Sequence, residues 1–237
     1  MTPPPAPPPG LAPEDLAAVA LFADLDADQH HRLLENHRLL TLEADQRLVL
    51  EQDESQGLFL LRSGLAKVRG FDLDGQETVL ALLGAGEICG EMAILNPEGL
   101  RTADVVSLTP MRVAVLRAGP FAALLRSDTR LALALARLQA RRLQNLNHRL
   151  RLRGGDATIR LLATLVELAR RSAPGACETD PIPPLPQREI ASLSGLARET
   201  ASRTLSSLRR RGLVADTPEG GLQLLNREDL RRRGLVA

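Results

Sequence analysis

Two stretches of this 237-residue chain bring together side chains able to do chemistry. In one, Arg198, Glu199, Ser202 and Arg203 fall on a single arc at about 100° per residue, while Ala201, Leu205 and Leu208 fall on another. A guanidinium forks onto the O6/N7 edge of guanine and a carboxylate accepts from cytosine N4, so the polar arc is a base-reading set. The plainer reading is a solvated helix face whose Arg and Glu pair with each other.

The other stretch runs from Gly84-Ala85-Gly86-Glu87 through Gly90-Glu91-Met92-Ala93-Ile94-Leu95 to Arg101-Thr102-Ala103. Its glycines admit close backbone approach, and a helical turn starting after Gly90 aims its free N–H groups at an anion. Arg101 adds a planar, permanent charge and Thr102 a hydroxyl donor. Glu91 would repel a phosphate, so its expected use is to accept from a sugar hydroxyl and to hold Arg101. A strand corner closed by a Glu91–Arg101 salt bridge fits the residues equally well.

These side chains need elements to place them. Pro186 to Gly212 reads as two short helices about a tight turn: Pro186 opens the first, Ile190 and Leu193 give it an apolar edge, and Gly195 makes the break. Gly212 ends the second after Arg209-Arg210-Arg211, a basic run placed to meet phosphates, as is Arg188 on the first helix. Leu213-Val214-Ala215 and Leu222-Gln223-Leu224, flanking Pro218-Glu219-Gly220-Gly221, predict a hairpin wing, and Asn226 caps a last short helix.

Upstream, Pro13 to Ala20 and the residues after Asp28 predict short helices. Strand-like segments follow at Leu39–Leu42, Arg47–Leu50, Gly57–Arg62, Ala66–Phe71, Thr78–Leu83, Ala103–Leu108 and Arg112–Leu116, separated by turn signals. Such spacing argues a sandwich or small barrel. Pro120 opens a short helix, and Asp128 caps a long one running to about Arg153. Leu131, Leu135, Leu138, Leu143, Leu146 and Leu150 stripe it, but the step from Leu138 to Leu143 breaks a strict heptad. The stripe therefore fits either a core-facing edge or a pairing seam. Gly154-Gly155 is a candidate hinge, Asp156 caps a helix from Ala157 to Arg171, and Ser172 to Pro184 is a Pro-rich link.

Arg198-Glu199-Thr200-Ala201-Ser202-Arg203 resembles the recognition-helix signature Arg-Glu-Thr-x-x-Arg of the cyclic AMP receptor protein branch of the CRP/FNR family of bacterial transcription regulators. The Gly84–Thr102 stretch resembles that family's phosphate-binding cassette, and the resemblance covers about residues 14 to 225. It implies an α+β fold: a disordered Pro-rich tail at 1–13, an N-terminal cyclic-nucleotide-binding β jelly roll at 14–127, a long dimerisation helix at 128–153 and a C-terminal winged helix-turn-helix at 154–237. Effector contacts are then implied at Gly90, Glu91, Met92, Ala93, Arg101 and Thr102, with Glu91 on the ribose 2′-hydroxyl and Arg101 and Thr102 on the cyclic phosphate.

DNA contacts are implied at Arg188, Arg198, Glu199, Ser202, Arg203 and Arg209, of which Arg198, Glu199 and Arg203 would read a TGTGA half-site. The implied effector is cyclic AMP, and the implied partners are a second copy of the chain, a palindromic double-stranded operator and RNA polymerase. There is one departure. Leu146 and Asn147 stand where the family's Thr-Ser pair contacts adenine. Leu146 neither donates nor accepts, whereas Asn147 does both and so joins the effector set. Response to another nucleotide, or DNA binding without any ligand, is the alternative.

Composition sets the outer limits. Hydrophobic residues make up 44% of the chain, enough for cores in two modest domains. The net charge is only +1, so a nucleic-acid role rests on where the arginines cluster: residues 126–160 and 188–233 are rich in them. Cys89 and Cys177 make no metal-ligand spacing, so no metal, haem or iron–sulfur cluster is expected and a reduced, cytoplasmic setting fits. His30, His31 and His37 read as solvated. A signal-peptide pattern, a bilayer-spanning apolar run, a nucleophile elbow, a Walker loop and a His-Glu-x-x-His motif are all missing, so neither a membrane nor an enzyme role is expected.

Overall fold

The computed structural model describes residues 10–54 and 57–236; the proline run of residues 1–9 lies outside them. Helices α1 (Pro13–Ala17) and α2 (Ala27–Leu34) come first. Asp26, rather than the expected Asp28, starts α2, because Asp26 and Gln29 form a reciprocal capping box at 2.8 and 3.0 Å.

Eight strands follow: β1 (Arg38–Leu42), β2 (Arg47–Val49), β3 (Leu58–Ser63), β4 (Ala66–Phe71), β5 (Glu77–Leu83), β6 (Ile88–Cys89), β7 (Asp104–Ser107) and β8 (Met111–Leu116). A one-turn helix, α3 (Glu91–Leu95), sits between β6 and β7. The strands form two antiparallel sheets, ordered β1-β8-β3-β6 and β2-β7-β4-β5. Alternation along β3 shows how the layers are built. Leu58 and Leu60 pack with Leu16, Leu33, Phe121 and Leu131 under the helices, while Phe59 and Leu61 pack with Leu83, Val105 and Val113 between the sheets. This is the jelly roll that the resemblance implies.

Helix α4 (Ala118–Ser127) begins two residues before Pro120. The ring is tolerated there because a first-turn N–H has no intrahelical acceptor to lose. Asp128 then caps α5 (Thr129–Leu152), accepting from Arg130 N–H at 2.8 Å. Hydrogen bonds from Arg130 and Gln29 hold the Asp128 carboxyl well below the usual carboxylate range, outweighing a small burial effect. The leucine stripe divides where its spacing breaks. Leu131 and Leu135 are buried, whereas Leu143 and Leu150 are 59% and 50% exposed.

Beyond Gly154-Gly155 come α6 (Ala157–Arg171), α7 (Gln187–Ser194) and α8 (Arg198–Arg210). Pro186 is the residue before α7 rather than its first, and Gly195 makes the turn in the left-handed region at φ +61°, which costs glycine nothing. Strands β9 (Val214–Asp216) and β10 (Leu222–Leu224) form the hairpin, and Asn226 caps α9 (Arg227–Arg232). Leu161, Leu165, Leu168, Ile190, Leu193, Leu205, Leu208 and Leu224 make the core of this part. Leu65, Val79, Leu82 and Leu108 of the β-roll belong to the same cluster, so the helix-turn-helix packs directly on the β2-β7-β4-β5 sheet.

His31 is exposed as expected, but His30 and His37 depart from expectation. His30 is buried with Nε2 2.9 Å from Phe22 O, and His37 accepts from Leu11 N–H while its other ring nitrogen meets Leu34 O. They tie the N-terminal helices to each other, because a chain folding back over α2 leaves backbone groups that an imidazole satisfies. Among the described residues, no helix is long and apolar enough to cross a membrane, and no group of three or more His, Cys, Asp or Glu could hold a metal ion.

Candidate effector cavity and nucleic-acid interface

A cavity of about 560 Å³ opens between the β-roll and α5. Val68, Leu80, Ala81, Leu83 and Val105 form its sheet wall, Gly90–Ala93 and Arg101–Thr102 its polar end, and Gln139, Arg142, Leu143 and Leu146 its helical wall. Six of the seven residues expected at the effector are thereby brought to one place. Asn147 is not: it is exposed, does not line the cavity and lies about 100° round α5 from Leu146.

The polar end is built on Gly90, whose φ of +92° is left-handed. A Cβ there would stand 2.9 Å from Gly57 O and would overlap Arg101 Nη1, so glycine is required twice over. Arg101 donates to Gly90 O at 3.1 Å and to Gly57 O at 2.9 Å, with its guanidinium 5.1 Å from the Phe59 ring centroid. Burial pulls its pKa down; the Glu91 and Asp53 carboxylates oppose this. Having no side chain, Gly90 caps none of the N–H groups at the start of α3, and these stay available to an anion. Thr102 is exposed and its hydroxyl approaches Met92 Sδ at 3.8 Å. Beneath the cassette, burial foremost and the Glu91 charge next push the Cys89 thiol up to about 12, keeping it protonated.

Glu91 corrects the sequence expectation. It does not hold Arg101, whose two terminal nitrogens are taken by backbone carbonyls. Its Oε1 accepts instead from Arg142 Nη1 and from Gln139 Nε2 at 2.8 Å, both on α5, and Arg142 also donates to Ile88 O. Oε2, in a residue 1% exposed, has no hydrogen-bond partner among the described residues. A buried carboxylate oxygen left this way is costly unless a ligand donor completes it.

On α8, Ala201, Leu205 and Leu208 are buried while Arg198, Glu199 and Arg203 are exposed and Ser202 is half-exposed. The solvated-face reading allows Glu199 to pair with an arginine on its own helix. Among the described residues it makes no salt bridge, and Arg203 donates weakly to the Glu199 carbonyl at 3.4 Å. Two expected phosphate contacts are engaged elsewhere: Arg209 pairs with Asp216 of the wing, and Arg188 of α7 pairs at 3.0 Å with Asp45 of the β-roll. Neither partner is visible in local sequence, since both pairs depend on how α7 and the wing dock.

A cyclic-nucleotide-type β-roll joined by a long helix to a winged helix-turn-helix defines a class: DNA-binding transcriptional regulators that carry a cyclic nucleotide-binding-type domain. The comparisons agree. Residues 39–128 match the cyclic nucleotide-binding domain and residues 159–233 the Crp-like helix-turn-helix domain. The cyclic AMP receptor protein of Thermus thermophilus is 36% identical over 163 residues, covering 68% of this chain and 72% of that protein. A CRP-like cAMP-activated global transcriptional regulator of Mycobacterium tuberculosis is 26% identical over 205 residues, 85% of this chain and 90% of that protein. In fold, the chain is similar to FixK2 from Bradyrhizobium japonicum, with a TM-score of 0.70 at 20% identity over 83% of this chain and 96% of that one. It is similar also to the c-di-GMP responsive regulator CLP of Xanthomonas campestris, with a TM-score of 0.66 at 23% identity over 85% and 100%.

The chain belongs to the CRP/FNR family of transcription regulators. It is a DNA-binding regulator and not an enzyme.

Proposed function

We propose that the chain acts as a homodimer that takes cyclic AMP in the cavity beside α5 and, so occupied, reads a TGTGA-type palindrome through α8. The observation that carries the effector reading is the unpartnered Glu91 Oε2, buried next to the Gly90–Arg101 cradle. A cyclic nucleotide offers the chemistry that fits: an anion for the free N–H groups and Arg101, and a ribose hydroxyl for the carboxylate. The Thermus relative is named for cyclic AMP, which supports that choice.

Leu143 and Leu150, exposed on the second half of α5, supply a seam for a two-fold mate. Two recognition helices so related would enter successive major grooves about 34 Å apart, which is why a palindrome is expected. Effector acts by binding the DNA-competent geometry more tightly than the other. RNA polymerase is the further partner this role requires at a promoter.

One observation favours a second reading. Leu143 and Leu146 offer a base edge no hydrogen bond, and the wall's Gln139 and Arg142 already donate to Glu91, which favours recognition of phosphate and sugar over adenine. Calorimetry with cyclic AMP and cyclic GMP separates the readings. Stoichiometric binding of cyclic AMP, lost in Arg101→Leu, is expected; equal affinity for both supports base-indifferent recognition, and no heat with either removes the effector assignment.

A further inference from the structure

The β2-β7-β4-β5 sheet does two jobs, one on each face. Val68 of β4 and Val105 of β7 line the effector cavity, while their neighbours Lys67, Arg69 and Asp104 form a charge network on the opposite face. In β5 a register shift makes the same division: Val68 pairs with Ala81 but Arg69 with Val79, so the bulge at Leu80 turns Ala81 and Leu83 to the cavity and Glu77 and Val79 to the reader.

The network reaches α7. Lys67, 3% exposed, donates to Glu77 at 2.8 Å and to Glu189 of α7 at 2.7 Å. Ser192 of α7 donates to Glu77, and the neighbouring Arg188 pairs with Asp45 at 3.0 Å. A buried ammonium between two carboxylates is strongly held, and it ties Glu77 of the sheet to Glu189 of α7 through one shared charge. Arg188 is a guanidinium that the proposed DNA interface and the sensor both claim. Asp45 therefore occupies it in competition with a DNA phosphate.

We propose that Asp45 and Lys67 form a latch on the reader: Lys67–Glu189 seats α7 on the sensor sheet, and Asp45 withholds Arg188 from the DNA backbone until the reader is released. The cavity wall and the latch are opposite faces of the same strands, so a ligand pressing on Val68 and Leu80 acts on the elements that carry Lys67 and Glu77. This rests on the proposed switching of the reader by its effector; the latch itself is read without effector.

The test measures ligand-free affinity for a TGTGA-N6-TCACA duplex and for a scrambled duplex at fixed salt. Asp45→Asn is expected to raise both affinities, since a released phosphate contact acts on every sequence, by about 2- to 5-fold for an exposed pair. Glu189→Gln, which releases Lys67 and also removes the carboxylate 3.6 Å from Arg188 Nε, should also raise them. Glu43→Gln removes the same charge two residues from Asp45 and should change little. In an Arg188→Gln background, Asp45→Asn should fall to the level of Glu43→Gln.

Affinities for Asp45→Asn and Glu189→Gln equal to wild type would overturn the latch, as would an Asp45→Asn gain that survives in Arg188→Gln. Wild type that binds duplex with cyclic AMP while the variants show no ligand-free gain sinks the latch alone. Failure of every variant to bind either duplex, with or without cyclic AMP, sinks the proposed function with it.

Discussion

Arg142 and Glu91, 51 residues apart, meet as a hydrogen-bonded ion pair in the wall of the effector cavity. The pair joins the cassette to the helix that carries the exposed Leu143 and Leu150. It makes Glu91 a joint between the cassette and α5: one carboxylate oxygen is committed to α5 and the other has no partner among the described residues.

Arg142→Met should therefore do more than trim the surface. With its arginine gone, Glu91 keeps only Gln139 and stays buried, a change that typically costs about 3 kcal/mol. Denaturant unfolding should show that loss, and Arg142→Met combined with Glu91→Gln should recover most of it because no buried charge remains. Additive losses in the double variant would mean that the pair does not carry the coupling.

Base-reading and phosphate contacts should separate experimentally. Arg198→Ala or Arg203→Ala is expected to cost about 1–3 kcal/mol on the TGTGA duplex and to relax base preference. Arg209→Ala should weaken specific and scrambled duplexes alike and lower the salt slope by about 1. Equal losses on both duplexes for Arg198 and Arg203 would make them backbone contacts only.

The docking network has a definite acid limit. Burial would raise the Glu77 carboxyl, but hydrogen bonds from Lys67, Ser192 and Arg69 outweigh it and hold it at about 2, against an ordinary 4.5. A depressed carboxyl contributes stability that is complete above 4.5 and lost as pH falls toward 2. Unfolding free energy measured down this window should fall with a slope that Glu77→Gln reduces. An unchanged slope would show that Glu77 gains nothing from its partners.

Local patterns were legible in the sequence where the signal is local. Asp128 and Asp156 cap the helices they were expected to cap, because a cap is decided within three residues. Gly195 makes the turn between α7 and α8 for the same kind of reason. Strand β6, only Ile88–Cys89, was missed: its pairing with Phe59 and Leu60 is tertiary, and two residues carry no alternation.

At the site, residue types pointed to an anion cradle, but partners did not follow from spacing. Glu91 and Arg101, ten residues apart in sequence, were expected to pair. The strand geometry gives Arg101 two carbonyls, and α5 supplies Arg142 from the far side of the cavity. Arg188 shows the same lesson, since its exposed position in α7 gives no hint of Asp45. Long-range charge pairing depends on how separate units dock, and one sequence carries little of that information.

In the proposed function, ligand in the cavity governs sequence-specific DNA binding. The most direct test is gel-shift titration of a TGTGA-N6-TCACA duplex and its scrambled counterpart, each with and without saturating cyclic AMP. Cyclic AMP is expected to raise affinity for the palindrome by at least about tenfold, roughly 1.4 kcal/mol of coupling, with little change on the scrambled duplex. Identical titrations with and without the nucleotide, or equal affinity for the two duplexes, would contradict it.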